Sequence, residues 1–153
     1  MRTISIETTI AAPVVACFDL SLSVDAHTNS MAKSGERAVA GITSGVMTLG
    51  DSVTWQARHF GIPVRMTSAI TEYERPERFV DEQRRGPFHR WWHEHTFTAL
   101  SPDQTLMVDR VEFRSPFGPI GWLADMSVLD RYMTGLLRQR NDWLKSTLEA
   151  QAS

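Results

Sequence analysis

Two histidines set between aromatic residues stand in the stretch Trp91-Trp92-His93-Glu94-His95-Thr96-Phe97. On a β-strand alternate side chains share a face, so Trp91, His93, His95 and Phe97 point one way, and Trp92, Glu94 and Thr96 the other. The first face is too polar for ordinary core and too aromatic for ordinary surface. It suits the wall of an internal cavity.

Three chemistries fit such a pair. Two histidines on one face are good metal ligands, but zinc needs three protein ligands in a catalytic site and four in a structural one. Asp109 or His59 would have to complete the set, and neither a cysteine cluster nor a helical HExxH accompanies it. The expectation is therefore no metal and no cofactor. A histidine with an ordinary pKa of about 6.5 beside a carboxylate shuttles protons near neutral pH, so His93 or His95 with Asp109 on a neighbouring strand would suit a cyclase, dehydratase or isomerase. The third chemistry is binding, in which the polar groups satisfy one another and hold the polar end of an otherwise apolar ligand, the usual make-up of a small-molecule site. Binding is favoured, with proton transfer as the alternative.

A further charged residue belongs to this group. Met126, Leu129, Met133, Leu136, Leu137, Leu144 and Leu148 recur at three- and four-residue spacing, which predicts a helix burying one face. At about 3.6 residues per turn, Arg140 projects near the centre of that stripe. A buried guanidinium needs a carboxylate, carbonyl or ligand partner, or must snorkel out to water.

The elements that position these residues follow from periodicity. Arg2 to Ile10 alternates as a half-buried strand. Pro13 suits the first turn of a short helix carrying Val14, Phe18 and Leu22, and a second short helix is expected from Asp25 to Lys33. After breaks at Gly41, Gly45 and Gly50-Asp51, strands are expected at Ser52–Phe60, Val64–Tyr73, Arg78–Arg85, His89–Leu100 and Thr105–Arg114, with Gly61-Ile62-Pro63 as a turn. Short turns between consecutive strands imply an antiparallel, curved sheet. A long helix follows Pro116-Phe117-Gly118-Pro119, from Ile120 to Glu149.

At 153 residues the chain fits a single domain spanning 1–153. With 42% hydrophobic and 22% charged residues it has a globular rather than a disordered composition. A net charge of −2 and a pI near 6.2 argue against nucleic-acid partners, which call for a basic face. No stretch approaches the ~18 apolar residues of a membrane span and no signal peptide opens the chain, so a cytoplasmic protein without membrane insertion is expected. The single Cys17 sits in an apolar run and reads as a small core residue. Gly41-Ile42-Thr43-Ser44-Gly45 lacks the lysine of a phosphate loop, no serine has a nucleophile-elbow setting, and Arg84-Arg85 reads as a solvated strand end.

One strand, two short helices, a run of antiparallel strands and a long C-terminal helix is the order of the helix-grip fold. The chain resembles the START/Bet v 1-like (SRPBCC) superfamily, which includes polyketide cyclase/dehydrase-type and lipid-transfer proteins. The likeness covers essentially the whole chain. Beyond element order it rests on Leu49-Gly50-Asp51-Ser52-Val53-Thr54-Trp55, Pro76-Glu77-Arg78-Phe79, His93-Glu94-His95-Thr96-Phe97, Thr105-Leu106-Met107-Val108-Asp109 and Arg140-Asn141.

The resemblance implies an α+β fold, a sheet gripping the C-terminal helix around an apolar cavity. The expected ligand is a small hydrophobic or aromatic molecule bearing a polar group. His93, His95, Asp109 and Arg140 would orient its polar end. Trp55, Phe97, Phe113, Met133 and Leu137 would line the apolar part, with His59 and Trp91 on the same wall. A third outcome is an interaction module, such as a homodimer, whose cavity is too small to hold anything.

Overall fold

In a computed structural model, residues 1–59, 61–114 and 118–152 are described, with the side chains of the last segment from Ser127 onward. The chain runs β1 (Arg2–Ile10), α1 (Val14–Ser21), α2 (Val24–Ser30), a 3-10 turn (Ala32–Ser34), β2 (Arg37–Gly41), β3 (Ser52–His59), β4 (Ile62–Glu74), β5 (Arg78–Arg85), β6 (Arg90–Ser101), β7 (Gln104–Arg114) and α3 (Gly118–Ala152). The expected strand end at Phe60, the Pro116-Phe117 turn and the Met126 side chain lie outside the described residues.

The seven strands form one antiparallel sheet in the order β1-β7-β6-β5-β4-β3-β2, the curved sheet and long helix of the helix-grip fold. From β2 onward, consecutive strands pair antiparallel, while β1 closes against β7 with Ile6 opposite Asp109. Among the described residues no helix is long and apolar enough to cross a membrane.

Several boundaries differ from the sequence reading for local reasons. The second short helix ends at Ser30 rather than Lys33: Ser23 starts it by accepting the Ala26 N–H at 3.1 Å, and a 3-10 turn capped by Gly35 at φ 64 follows. Pro13 precedes the first helix, with ψ 147, instead of occupying its first turn. Ile62 and Pro63 belong to β4, opposite His59 and Arg58, rather than to the expected turn.

The apolar interior falls into two clusters. One gathers Ile10, Cys17, Phe18, Phe79, Phe97, Met107, Leu144 and Leu148 beneath α1. There Phe18 meets Tyr73, Phe79 and Phe97 edge-on, with ring centroids 5.4–5.5 Å apart, a geometry favoured by the ring quadrupoles. The other gathers Ile4, Ile6, Trp91, Val111, Phe113, Leu129 and Leu137. On β6, β7 and α3 alike, the buried residues between the two clusters in sequence are polar: His93 and His95, Asp109, and Arg140 with Asn141. A polar layer therefore crosses the core on three elements at one level.

Candidate functional site

Strand register builds the polar layer. His93 on β6 lies opposite Asp81 on β5 and Val111 on β7, and His95 lies opposite Phe79 and Asp109. Directly opposed residues share a face, so both histidines and both aspartates project toward α3. His93 Nε2 donates to Asp109 Oδ1 at 2.9 Å, and His95 Nδ1 stands 3.1 Å from the same oxygen. On the far side, His95 Nε2 donates to Asp81 Oδ2 at 2.8 Å. The two imidazoles stack with centroids 3.7 Å apart.

The helix completes the cluster. Arg140 Nη1 donates to Asp109 Oδ1 at 3.3 Å and to Asn141 Oδ1 at 2.8 Å, while Asn141 Nδ2 donates to Asp109 Oδ2 at 2.6 Å. Arg140 thus has the carboxylate partner its place on the apolar stripe requires, and its side chain is 7% exposed beside a fully buried Asp109.

Electrostatics follow from burial and these neighbours. Burial pushes the Asp109 carboxyl up, but Arg140 and the two histidines outweigh it and hold it well below the usual carboxylate range. Asp81 is likewise pushed up by burial and held below its ordinary value by His93, His95 and Arg140. His93 is displaced downward, by burial first and the neighbouring His95 second, against the pull of both aspartates. Its neutral imidazole is the favoured form at neutral pH.

This layer forms part of the wall of a cavity of about 810 Å³ between sheet and α3. Of the residues expected at the site, Trp55, His59, Trp91, His93, His95, Met133, Leu137 and Arg140 line it. Phe97, Phe113 and Asp109 do not. Phe97 is sequestered against Phe18 and Phe79 in the first apolar cluster. Phe113 is covered by Phe88 and Trp91, with centroids 5.7 and 6.1 Å away. Asp109 lies behind the histidines and Arg140.

The sequence reading missed Asp81, which lines the cavity beside His95. Its signal was present: alternation along Arg78–Arg85 places Asp81 on the same face as Phe79, an acid on the apolar side of a strand. The partners of the expected His59 in a second polar group were missed as well. His27 and Glu36 are 2.7 Å apart, His59 Nδ1 and the Tyr132 hydroxyl are 2.6 Å apart, and all four line the cavity. Burial pushes the Glu36 carboxyl up, but the charge and hydrogen bond of His27, with His59 behind it, hold it below its ordinary value. Burial lowers His59 and raises Tyr132.

No protein-family model matches the sequence, and no curated protein does. Solved structures do match. A protein of Thermus thermophilus superposes with a TM-score of 0.80 at 17% identity, over 99% of this chain and 100% of that one. The Zhui aromatase/cyclase from Streptomyces sp. R1128 gives 0.80 at 12% identity, over 99% and 96%. A START superfamily protein from Mycobacterium smegmatis gives 0.72 at 14% identity, over 97% and 98%. Identities this low carry the fold and not the activity. The chain has the helix-grip fold of the START/Bet v 1-like, or SRPBCC, proteins.

Proposed function

We propose that the chain binds a small hydrophobic or aromatic molecule bearing polar groups, held between the sheet and α3. The observation that carries this is the cavity itself. At about 810 Å³ it falls within the roughly 300–1,000 Å³ of small-molecule sites, which combine apolar walls with a few fixed polar groups. Its walls include Met47, Val53, Trp55, Ile70, Leu136 and Leu137, interrupted by the Asp81–His93–His95–Arg140 group and by the His27–Glu36 and His59–Tyr132 pairs. Tyr132 and Arg140 are eight residues apart on α3, about 12 Å along the helix axis. A ligand that engages both groups carries polar functions at its two ends and an apolar or aromatic middle.

A second reading is supported by one contact. His93 is neutral, its Nε2 is tied to Asp109 at 2.9 Å, and its ring lines the cavity. A base so oriented suits proton abstraction from a carbonyl compound, as in a cyclase, dehydratase or isomerase.

Uptake of 8-anilino-1-naphthalenesulfonate, an aromatic anion, tests the binding reading. Saturable one-to-one fluorescence enhancement is expected from the folded protein. It should be lost in Ser68→Trp, because Ser68 lines the cavity and an indole there occupies the space. Unchanged uptake by a folded Ser68→Trp variant would place the dye elsewhere and overturn the proposal. For a compound found to be converted, His93→Gln should remove turnover while leaving affinity nearly intact. Equal loss of both would leave binding as the function.

A further inference from the structure

Asp81, His93 and His95 do something that hydrogen bonding within the layer does not require. One nitrogen of each imidazole and one carboxylate oxygen of Asp81 lie within 4.8 Å of one another, and among the described residues this is the one group of three histidine, cysteine or acidic side chains so arranged. His93 Nδ1 and His95 Nε2 face Asp81 Oδ2 at 3.7 and 2.8 Å. Ligand atoms around a tetrahedral ion with bonds of about 2.0–2.1 Å are separated by about 3.3 Å, between those two distances.

The outer nitrogens supply an independent observation. His93 Nε2 and His95 Nδ1 lie 2.9 and 3.1 Å from a single atom, Asp109 Oδ1. Metal-bound histidines almost always give the far N–H to a carboxylate or carbonyl, which fixes tautomer and ring direction. His93 already donates its far N–H to this carboxylate; His95, whose proton sits on Nε2 toward Asp81 in the metal-free chain, would carry it on Nδ1 once Nε2 binds the ion, and Arg140 and Asn141 hold the carboxylate in turn.

We propose that Asp81 Oδ2, His93 Nδ1 and His95 Nε2 form a site for a divalent transition-metal ion. Two imidazoles and one carboxylate suit zinc or iron(II), and three protein ligands leave positions for a further ligand, as in catalytic rather than structural sites. Those positions face the cavity, since all three residues line it. Coordination turns the two rings out of their 28° stack so that both lone pairs converge on the ion.

Charge sets what the open position takes. Imidazoles bind a metal as neutral rings, so two aspartates and one arginine contribute −1, and a dication brings the cluster to +1. The open position therefore favours an anion, such as hydroxide, or the carboxylate or enolate of a cavity ligand.

Cobalt(II) and zinc(II) titrations of chelator-treated protein provide the test. One-to-one binding is expected, with visible cobalt bands as intense as those of a four- or five-coordinate ion. Asp81→Asn and His95→Gln should each weaken it by at least roughly 100-fold, the upper end of what loss of an outer hydrogen-bond partner costs. His89→Gln, on an exposed residue, should leave it unchanged. Far-UV circular dichroism checks each variant's fold. If His95→Gln does not fold, Asp81→Asn decides, because the Asp81 side chain is 21% exposed at the cavity surface. Absence of one-to-one binding, or affinity indifferent to Asp81→Asn, would overturn the site. Dye uptake by the metal-free protein, measured in parallel, separates the two proposals: uptake without metal binding removes only the metal, and metal binding without uptake removes only the ligand reading.

Discussion

Arg140→Met removes the cation from beside Asp109 while keeping an unbranched chain on the helix stripe. The guanidinium is 7% exposed and the carboxylate fully buried, so solvent screens neither. Removing one partner of a buried ion pair costs about 3–5 kcal/mol, because the other charge is left uncompensated. That is a large share of the roughly 5–15 kcal/mol that holds a domain folded. His93 and Asn141 still donate to Asp109, which places the expected loss toward the lower figure. Urea unfolding at pH 7 measures it. The double variant Arg140→Met with Asp109→Asn should recover much of the loss, since the stranded charge is then gone.

The pH dependence has a definite sign. In the native protein Asp109 is held well below its ordinary value, burial opposing and Arg140 leading the groups that lower it. Its contribution to stability is therefore present above the unfolded carboxyl pKa and lost as pH falls through the lower folded value. Without Arg140 the folded value climbs, so the cost of Arg140→Met should shrink as acidification protonates the carboxyl. A cost under about 1 kcal/mol, as for an exposed pair, would refute the buried-pair reasoning. So would single-variant costs that add within about 0.5 kcal/mol in the double variant, as for independent sites.

Two other outcomes follow from the walls of the cavity. Glu36→Gln should cost about 1.5–3 kcal/mol at neutral pH, the worth of a hydrogen bond to a charged group. Since the folded Glu36 carboxyl lies below its ordinary value, that difference should persist down to about the unfolded carboxyl pKa of ~4.3 and vanish in stronger acid; pH-dependent thermal melts check this. Gly41→Ala should destabilise more than Gly50→Ala. Both glycines have positive φ, but a Cβ on Gly41 would clash with the Ser52 carbonyl oxygen, whereas one on Gly50 meets nothing within 4 Å. Gly50→Ala then carries only the left-handed cost of about 1–2 kcal/mol, and parallel urea melts compare the two.

The fold was legible because period-2 alternation marks each hairpin strand and period-3.6 spacing marks α3, and both survive packing. Arg140 was legible for the same reason: a charge on an apolar stripe announces a buried partner. Asp81 was not picked out, because its partnership with His93 depends on the register of β5 against β6, which no local pattern fixes. His59 was read from alternation along β3, but its neighbours His27, Glu36 and Tyr132 come from α2, the segment before β2 and α3, which no local pattern brings together. Phe97 and Phe113 share a strand face with cavity residues, yet each is capped by neighbouring aromatic rings. Alternation assigns a side of the sheet and not a depth along it.

Methionine methyl groups give the most direct reading of whether a ligand enters between sheet and helix. Met31, Met47, Met66 and Met133 line the cavity, whereas Met107 is fully buried in the adjoining apolar cluster. Titration of methyl-labelled protein with 2-naphthol, followed by carbon–proton correlation spectra, should shift the four lining methyls along one saturable curve and leave Met107 nearly still. Saturable shifts confined to other methyls, or none at all up to the solubility of 2-naphthol, would contradict an internal ligand site.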